Sequence, residues 1–285
     1  MDVAVVGAGR VGTALAVLLA RAGHRLVAVS GRARTRARSE KYLPNVPFLA
    51  AVESVRDAEI VLIAVPGDEI GQVCEAVAGA LRPGAFVLHT SGAASLSVLD
   101  PASRAGAHTL SLHPLQTFPD VEGGIERMQG SHVAVTARSP EAYELGERLA
   151  WEIGAEPFRL QDGRKALYHA AAVFASNYLA VTQRVAELLF TLAGVEEPLR
   201  KFEPLARSTL ENVFALGPAE ALTGPAARGD VGTIRRNLEA LGAEAPHSVA
   251  AYVEIARAAV HLAAADGKVT EEQMKRVEEV LAEWK

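Results

Sequence analysis

The stretch DVAVVGAGRVG, residues 2–12, constrains this chain more than any other. DVAVV is a short apolar run with β-branched residues and reads as a strand. TALAVLLARAG, closed by Gly23, reads as a helix. Between them Gly7, Gly9 and Gly12 form a G-x-G-x-x-G. That spacing alone is weak, but where a strand passes into a helix and opens a βαβ unit it marks a dinucleotide crevice. Gly7 permits the tight turn, Gly9 lets the backbone approach a pyrophosphate, and Gly12 lets the helix lie close on the strand. The helix start at Arg10 and Val11 adds free N–H groups and the positive end of the helix dipole.

Further apolar runs follow: RLVAVS (25–30), EIVLIAVP (59–66), GAFVLHTSG (84–92), AHTLSLHP (107–114) and SHVAVTA (131–137). Continuous apolar strands suit a parallel sheet covered on both faces, and helix-compatible stretches separate several of them. The expected fold class is α/β, an N-terminal doubly wound parallel sheet of Rossmann type. The texture changes after about residue 160. Residues 165–193 contain neither Gly nor Pro and read as one long helix. More helical stretches lie near 200–215, 230–241 and 246–265, and TEEQ places Thr270 and Gln273 at capping-box spacing for a last helix. Two domains are expected: 1–160 for nucleotide binding, and an all-α remainder, 161–285, for substrate binding and dimerisation.

Bulk composition narrows the function. The 285 residues carry a formal net charge of −5, so no global attraction draws the chain to nucleic acid or an anionic membrane. One cysteine, Cys74, excludes an internal disulfide and any cysteine-rich metal site, and no metal is expected. No uncharged apolar run approaches the roughly 18 residues of a membrane span. The chain enters a strand at once, with no leader-like segment, so the expected setting is the cytoplasm.

Against this acidic background, VSGRARTRARS (29–39) is a basic knot of Arg32, Arg34, Arg36 and Arg38. It falls where an NAD-binding chain carries an Asp or Glu for the ribose 2′-hydroxyl. Here Ser30-Gly31-Arg32 offers no carboxylate. A hydroxyl and a guanidinium bind a 2′-phosphate through charge-assisted hydrogen bonds, so the expected cofactor is NADP. Ser30 and Arg32 are the expected contacts, with Arg34 or Arg36 as a second cation. Val65 and Pro66, and Ser91 in HTSG, end strands on the edge that lines such a crevice. They either touch the nicotinamide half or make ordinary turns.

Candidate chemistry lies on the long helix. At 100° per residue Lys165, His169 and Ser176 share one face, while Asn177 lies well round from Lys165. Lysine and histidine suit the proton transfer that accompanies hydride transfer to a carbonyl or imine. A solvated lysine and a hydrogen-bonded interface histidine are the structural alternative. His113, before Pro114 at a strand end, is a second candidate for substrate contact or proton relay. In LTGPAARGD (222–230), Arg228 suits a carboxylate or phosphate, or else pairs with Asp230 in a helix connection.

GAGRVG with SGR, AVPGDEI, HTSGA, LHPLQTF, YHAAAVFASNY and LTGPAARGD together resemble a bacterial family of Rossmann-like proteins. That family's helical C-terminal domain has no assigned function, and it sits in the 6-phosphogluconate-dehydrogenase-like superfamily. The resemblance covers nearly the whole chain. It implies a homodimer through the helical domains and a small-molecule substrate held between domains. Hydroxyacid dehydrogenases of that superfamily carry a catalytic lysine on the long helix and an asparagine one turn later. Lys165 matches the lysine, and His169 stands in the asparagine's place. The expected activity is NADP-dependent hydride transfer to or from a small polar, anionic metabolite, with Lys165 or His169 as acid/base. The competing expectation is a non-catalytic NADP-binding sensor or scaffold.

Overall fold

A computed structural model describes residues 1–284. It divides into two compact units, Met1–Asn177 and Tyr178–Lys285. The division falls 17 residues beyond the change in sequence texture, because the start of the alanine-rich helix packs with the first unit.

The first unit is built on seven strands: β1 (Asp2–Val6), β2 (Arg25–Ser30), β3 (Ile60–Ile63), β4 (Phe86–His89), β5 (His108–Pro114), β6 (His132–Ala137) and β7 (Glu156–Arg159). Their order is β2-β1-β3-β4-β5-β6-β7. The helices are α1 (Arg10–Arg21), α2 (Ala33–Tyr42), α3 (Ala51–Ser54), α4 (Ile70–Ala78), α5 (Asp100–Arg104), α6 (Val121–Met128), α7 (Pro140–Glu152) and α8 (Lys165–Ala172). Alternate residues of the inner strands feed two separate cores. Val3, Val5, Ile60 and Leu62 pack on one face with Leu15 and Leu19 of α1. Ala4, Val6, Val61 and Ile63 pack on the other with Ile70 and Cys74 of α4. Burial on both faces is why these strands read as unbroken apolar runs.

Two features depart from the expected parallel sheet. β6 runs antiparallel to β5, with His113 opposite Ala134, while β7 is parallel to β6. The short α6 packs on α1, so the chain stays at the carboxyl edge. There Leu115 N–H donates to the His132 carbonyl at 2.8 Å, and β6 starts back from that point. β7 has no signature in sequence: it is four residues long, includes Pro157, and sits at the sheet's edge, where a missing N–H is tolerated.

The second unit contains α9 (Leu179–Leu192), α10 (Pro198–Leu216), α11 (Pro218–Ala221), α12 (Val231–Glu244), α13 (Val249–Ala265) and α14 (Glu271–Ala282). Its core joins Ile234 and Leu238 of α12, Val253 and Val260 of α13, and Val277 and Leu281 of α14. Thr270 and Gln273 form the expected capping box at the start of α14. Residues 246–265 are long and apolar enough to cross a membrane by composition alone. Within this unit the segment is a core helix: Val253, Ala256, Val260 and Ala263 are buried, and Arg257 pairs with Glu254 and Glu278 at 2.6 and 3.0 Å.

The glycine turn sets how closely α1 lies on the sheet. Gly7 has φ +113°, and a Cβ there would sit 2.4 Å from the Ala64 carbonyl oxygen. A Cβ on Gly12 would sit 2.1 Å from the Gly7 carbonyl oxygen, whereas one on Gly9 would meet nothing within 4 Å. Gly7→Ala and Gly12→Ala should therefore each cost about 2–3 kcal/mol of stability by backbone clash. Gly9→Ala should cost at most about 1 kcal/mol, the lost N-cap preference. Urea unfolding followed by circular dichroism tests this ranking, and equal losses at all three positions would overturn it.

Candidate functional site

Five parallel strands end on one edge, and most of the expected site residues stand in the loops just beyond them. In spatial order these are Ser30 at the end of β2 and Arg32 beyond it, Gly7–Gly12 after β1, Val65 and Pro66 after β3, Ser91 after β4, and His113 on β5. At about 4.8 Å per strand the row is about 19 Å long, the edge along which extended dinucleotides lie in sheets of this type. The Ser30 carbonyl accepts the Gly7 and Ala8 N–H groups at 2.9 and 3.0 Å and braces the turn. Gly9 caps α1 without a side chain, and the first N–H to bond back is that of Thr13, to the Gly9 carbonyl at 3.0 Å. The N–H groups of Arg10, Val11 and Gly12 are thus the helix's unused donors. Open space in front of Gly9 and these donors fit a pyrophosphate.

The basic knot resolves into four separate roles. Arg32 is the N-cap residue of α2, which has no side-chain cap, and its guanidinium pairs with Glu69 from the turn Gly67–Glu69. Arg38 donates to the Ala8 carbonyl at 3.2 Å and ties α2 to the glycine turn. Arg36 stacks over the Phe48 ring at 4.8 Å. Arg34 is exposed one helical turn before Arg38 and so faces the same side. Period-two spacing on a helix scatters the charges, and Arg32 with Arg34 remain for an anion.

Behind the ends of β4 and β5 lies a buried polar cluster. Lys165 is 1% exposed. Its ammonium donates to the Ser91 carbonyl at 3.0 Å and to Ser111 Oγ at 2.8 Å. Burial pushes its pKa down to about 8, partly offset by the charge of Asp162. Asp162 in turn accepts from Ser95 Oγ at 2.7 Å and Leu96 N–H at 2.8 Å. His89 is wholly buried, accepts the Ser91 N–H on Nδ1 at 3.1 Å, and has no partner on Nε2. Burial, reinforced by Lys165, lowers it to about 3 and keeps it neutral.

The cleft opens beside this cluster. It encloses about 760 Å³ between the strand end and loop His113–Pro119 and the helix face Tyr168–Asn177. His113 Nδ1 and the Tyr168 hydroxyl share a hydrogen bond of 2.8 Å, and the His113 ring lies edge-on to His169 with centroids 6.2 Å apart. The His113 ring also packs flat against Gly92, where a Cβ would come within 2.7 Å of Nε2. Burial lowers the His113 pKa to about 4, with the charges of Lys165 and His169 adding to it, and burial raises Tyr168 to about 12. Both groups are neutral at pH 7.

Helix geometry places the remaining candidates. α8 ends at Ala172, and the chain takes π-helical turns over Val173–Tyr178 before α9. The wider turn delays the rotation, so Asn177 swings back and lines the cleft with His169 and Ser176. A single regular helix over 165–193 does not form. His169, Ser176, Asn177 and His113 are thus brought together. Lys165 lies beneath them, bonded to strand ends, and does not line the cleft. The Ser91 hydroxyl is turned into its own loop, accepting from Ala93 and Ala94 N–H groups at 3.3 and 3.0 Å. Arg228 is exposed in the second unit, and Asp230 caps α12 through Thr233 at 3.0 Å instead of pairing with it. Tyr168, Ser111 and Glu69 escaped the sequence reading, and His89, expected with the rest of HTSG at the crevice edge, is instead wholly buried. Tyr168 alone had a signal, its place beside His169.

The fold and the crevice define a class: a Rossmann-type nucleotide domain followed by a helical domain. Residues 1–114 match the profile of the Rossmann-like domain, and residues 131–259 match DUF2520, a domain of unknown function. The chain thus carries a Rossmann-like domain followed by a DUF2520 domain. An NAD(P)+-type glycerol-3-phosphate dehydrogenase from Nitrosococcus oceani is 29% identical over 252 residues, which is 80% of this chain and 70% of that protein. Against the other curated relatives the chain spans between 29% and 57% of their length. A Bacteroides fragilis protein provisionally described as an NADP oxidoreductase superposes with a TM-score of 0.80 at 22% identity, covering 91% of this chain and 98% of that one. A Thermotoga maritima protein superposes with a TM-score of 0.70 at 24% identity, over 93% of this chain and 99% of that one. This kinship is with NAD(P)-dependent dehydrogenases and supports that general class for the chain.

Lys165 can be tested through His113. The folded-state pKa of His113 lies near 4, below its unfolded value of 6.5. The stability gained by keeping it neutral is full above 6.5 and is lost as pH falls from 6.5 toward 4. Lys165→Met removes one of the charges that depress it, so the ring should titrate at higher pH. Proton NMR titration of the histidine rings measures this, and an unchanged midpoint would leave burial and His169 as the causes.

Proposed function

We propose that the protein is an NADP-dependent oxidoreductase that moves a hydride to or from a small polar, anionic metabolite, with His169 giving or taking the proton. The observation that carries the proposal is the half-buried His169 in a cleft at the carboxyl end of β5, on the same sheet edge as the glycine turn. NADP would be held by the turn Gly7–Gly12 at its pyrophosphate, by Ser30, Arg32 and Arg34 at its 2′-phosphate, and near Val65 and Pro66 in between. When bound it supplies the hydride acceptor or donor.

In the oxidative direction His169 takes the substrate's O–H proton as the hydride leaves the same carbon, and in reduction it returns that proton. Ser176 and Asn177 hold the substrate's oxygens, and the neutral His113–Tyr168 pair offers either a donor or an acceptor beside it. Lys165 acts from below by fixing the ends of β4 and β5 and contributing positive potential to the cleft. Its ammonium is held by the Ser91 carbonyl and the Ser111 hydroxyl, with the charge of Asp162 near, which favours this reading over a sensor without chemistry. The name of the Nitrosococcus relative, a phosphate-ester dehydrogenase, supports an anionic substrate class. The lone, buried Cys74 suits a reducing cytoplasm.

Pairing of two copies through the helical unit belongs to the same reading. α9 and α10 present Val181, Leu192, Leu199, Leu205, Phe214 and Leu216 to solvent, a set of large apolar side chains suited to a second copy. Phe214→Asp should shift sedimentation from dimer toward monomer, and a wild-type monomer would refute the pairing.

The catalytic assignment is tested by NADPH oxidation against a panel of oxo-acids, imines and semialdehydes. With the substrate so found, His169→Ala should lower kcat by about 10²-fold or more and leave the NADP affinity unchanged. Unaltered turnover in that variant would remove His169 from the mechanism.

A further inference from the structure

We infer that Glu69 governs cofactor choice at the adenosine end of the crevice: its carboxylate occupies Arg32 in the free protein and gives it up to a 2′-phosphate. The inference rests on the NADP reading above and assigns a residue that reading leaves out.

Strand order places the pair. β2 and β3 flank β1, so the loops after β2 and β3 stand on either side of the glycine turn, about 10 Å apart at ordinary strand spacing. Arg32 stands two residues beyond β2, and Glu69 ends the turn Gly67–Glu69 beyond β3. Their ion pair therefore spans the crevice above Gly7–Gly9. The end of β2 itself carries no carboxylate, so Glu69 is the acidic group that reaches Arg32 from the opposite bank.

Energetics allow the exchange. The Arg32 and Glu69 side chains are 55% and 33% exposed, and solvent screens pairs of that kind so that they add little net stability. A phosphate makes stronger, charge-assisted bonds to the same guanidinium, and the uncapped first turn of α2 adds backbone donors beside it. The incoming phosphate also meets the Glu69 carboxylate as a like charge. A bare 2′-hydroxyl suffers neither the competition nor the repulsion. Glu69 thus weakens NADP binding selectively and narrows the gap between the two cofactors.

Isothermal titration of NADP+ and NAD+ into the full-length wild type, Glu69→Gln, Asp68→Asn and Arg32→Ala tests this without any substrate. Asp68 is exposed next door and has no bond to Arg32, so Asp68→Asn makes the same change in net charge without touching the pair. Glu69→Gln should bind NADP+ about three- to tenfold tighter and NAD+ within about twofold of wild type. Asp68→Asn should change neither by more than about twofold. An equal gain in both acidic variants would reduce the effect to general charge and overturn the inference. Weaker NAD+ binding in Glu69→Gln would overturn it as well, by making Glu69 a ribose-hydroxyl acceptor. Arg32→Ala separates the two levels. If it loses NADP+ affinity while Glu69→Gln stays at wild type, the Glu69 assignment alone fails. If it binds NADP+ as wild type does, the NADP reading fails and this inference with it.

Discussion

The close approach of α1 to the sheet is the constraint on which the rest of this architecture depends. Gly12 lies against the Gly7 carbonyl and the Ala64 side chain with no room for a methyl group. The contact seats Leu15 and Leu19 in one sheet core and leaves the first N–H groups of the helix pointing into the crevice. One packing requirement thus produces both a stable βαβ unit and an anion-binding corner. The Ser30 carbonyl, bonded to Gly7 and Ala8, brings the end of β2 into the same assembly. The arginine that follows is placed by this junction.

At the other end of the edge, the dominant influence is a cation withheld from solvent. Lys165 has no carboxylate bonded to its ammonium and is balanced only by a carbonyl, a hydroxyl and the more remote charge of Asp162. Burial keeps His89 and His113 neutral, and such a group reinforces it by raising the cost of any second positive charge nearby. The cleft therefore presents uncharged hydrogen-bonding groups in front and a positive potential behind. That combination suits a substrate whose oxygen gains negative charge during reaction.

Much of this was legible in the residues. The two-sided burial of β1 and β3 was written in their unbroken apolar runs, and the crevice in three glycines whose context fixed their meaning. Thr270 and Gln273 announced the last helix because capping is local. What escaped had non-local causes. The reversal of β6 depends on α6 docking against α1, and four residues at a sheet edge carry too little pattern to betray β7. Glu69 could not be matched to Arg32 because the two are 37 positions apart and meet only through strand order. The helical wheel drawn over residues 165–177 assumed one pitch throughout, and the π-helical turns broke that assumption.

Those turns carry an implication for how such a cleft diversifies. A π turn is geometrically an α-helix that has absorbed one extra residue. Loss of a single codon within 173–178 would restore ordinary pitch, close the later residues up by one position on the same face, and leave room for only one of Ser176 and Asn177 at that level of the cleft. Strands, glycine turn and buried lysine would stay where they are. One insertion or deletion at this place can therefore add or remove a polar side chain in the pocket while the flanking helix keeps its register.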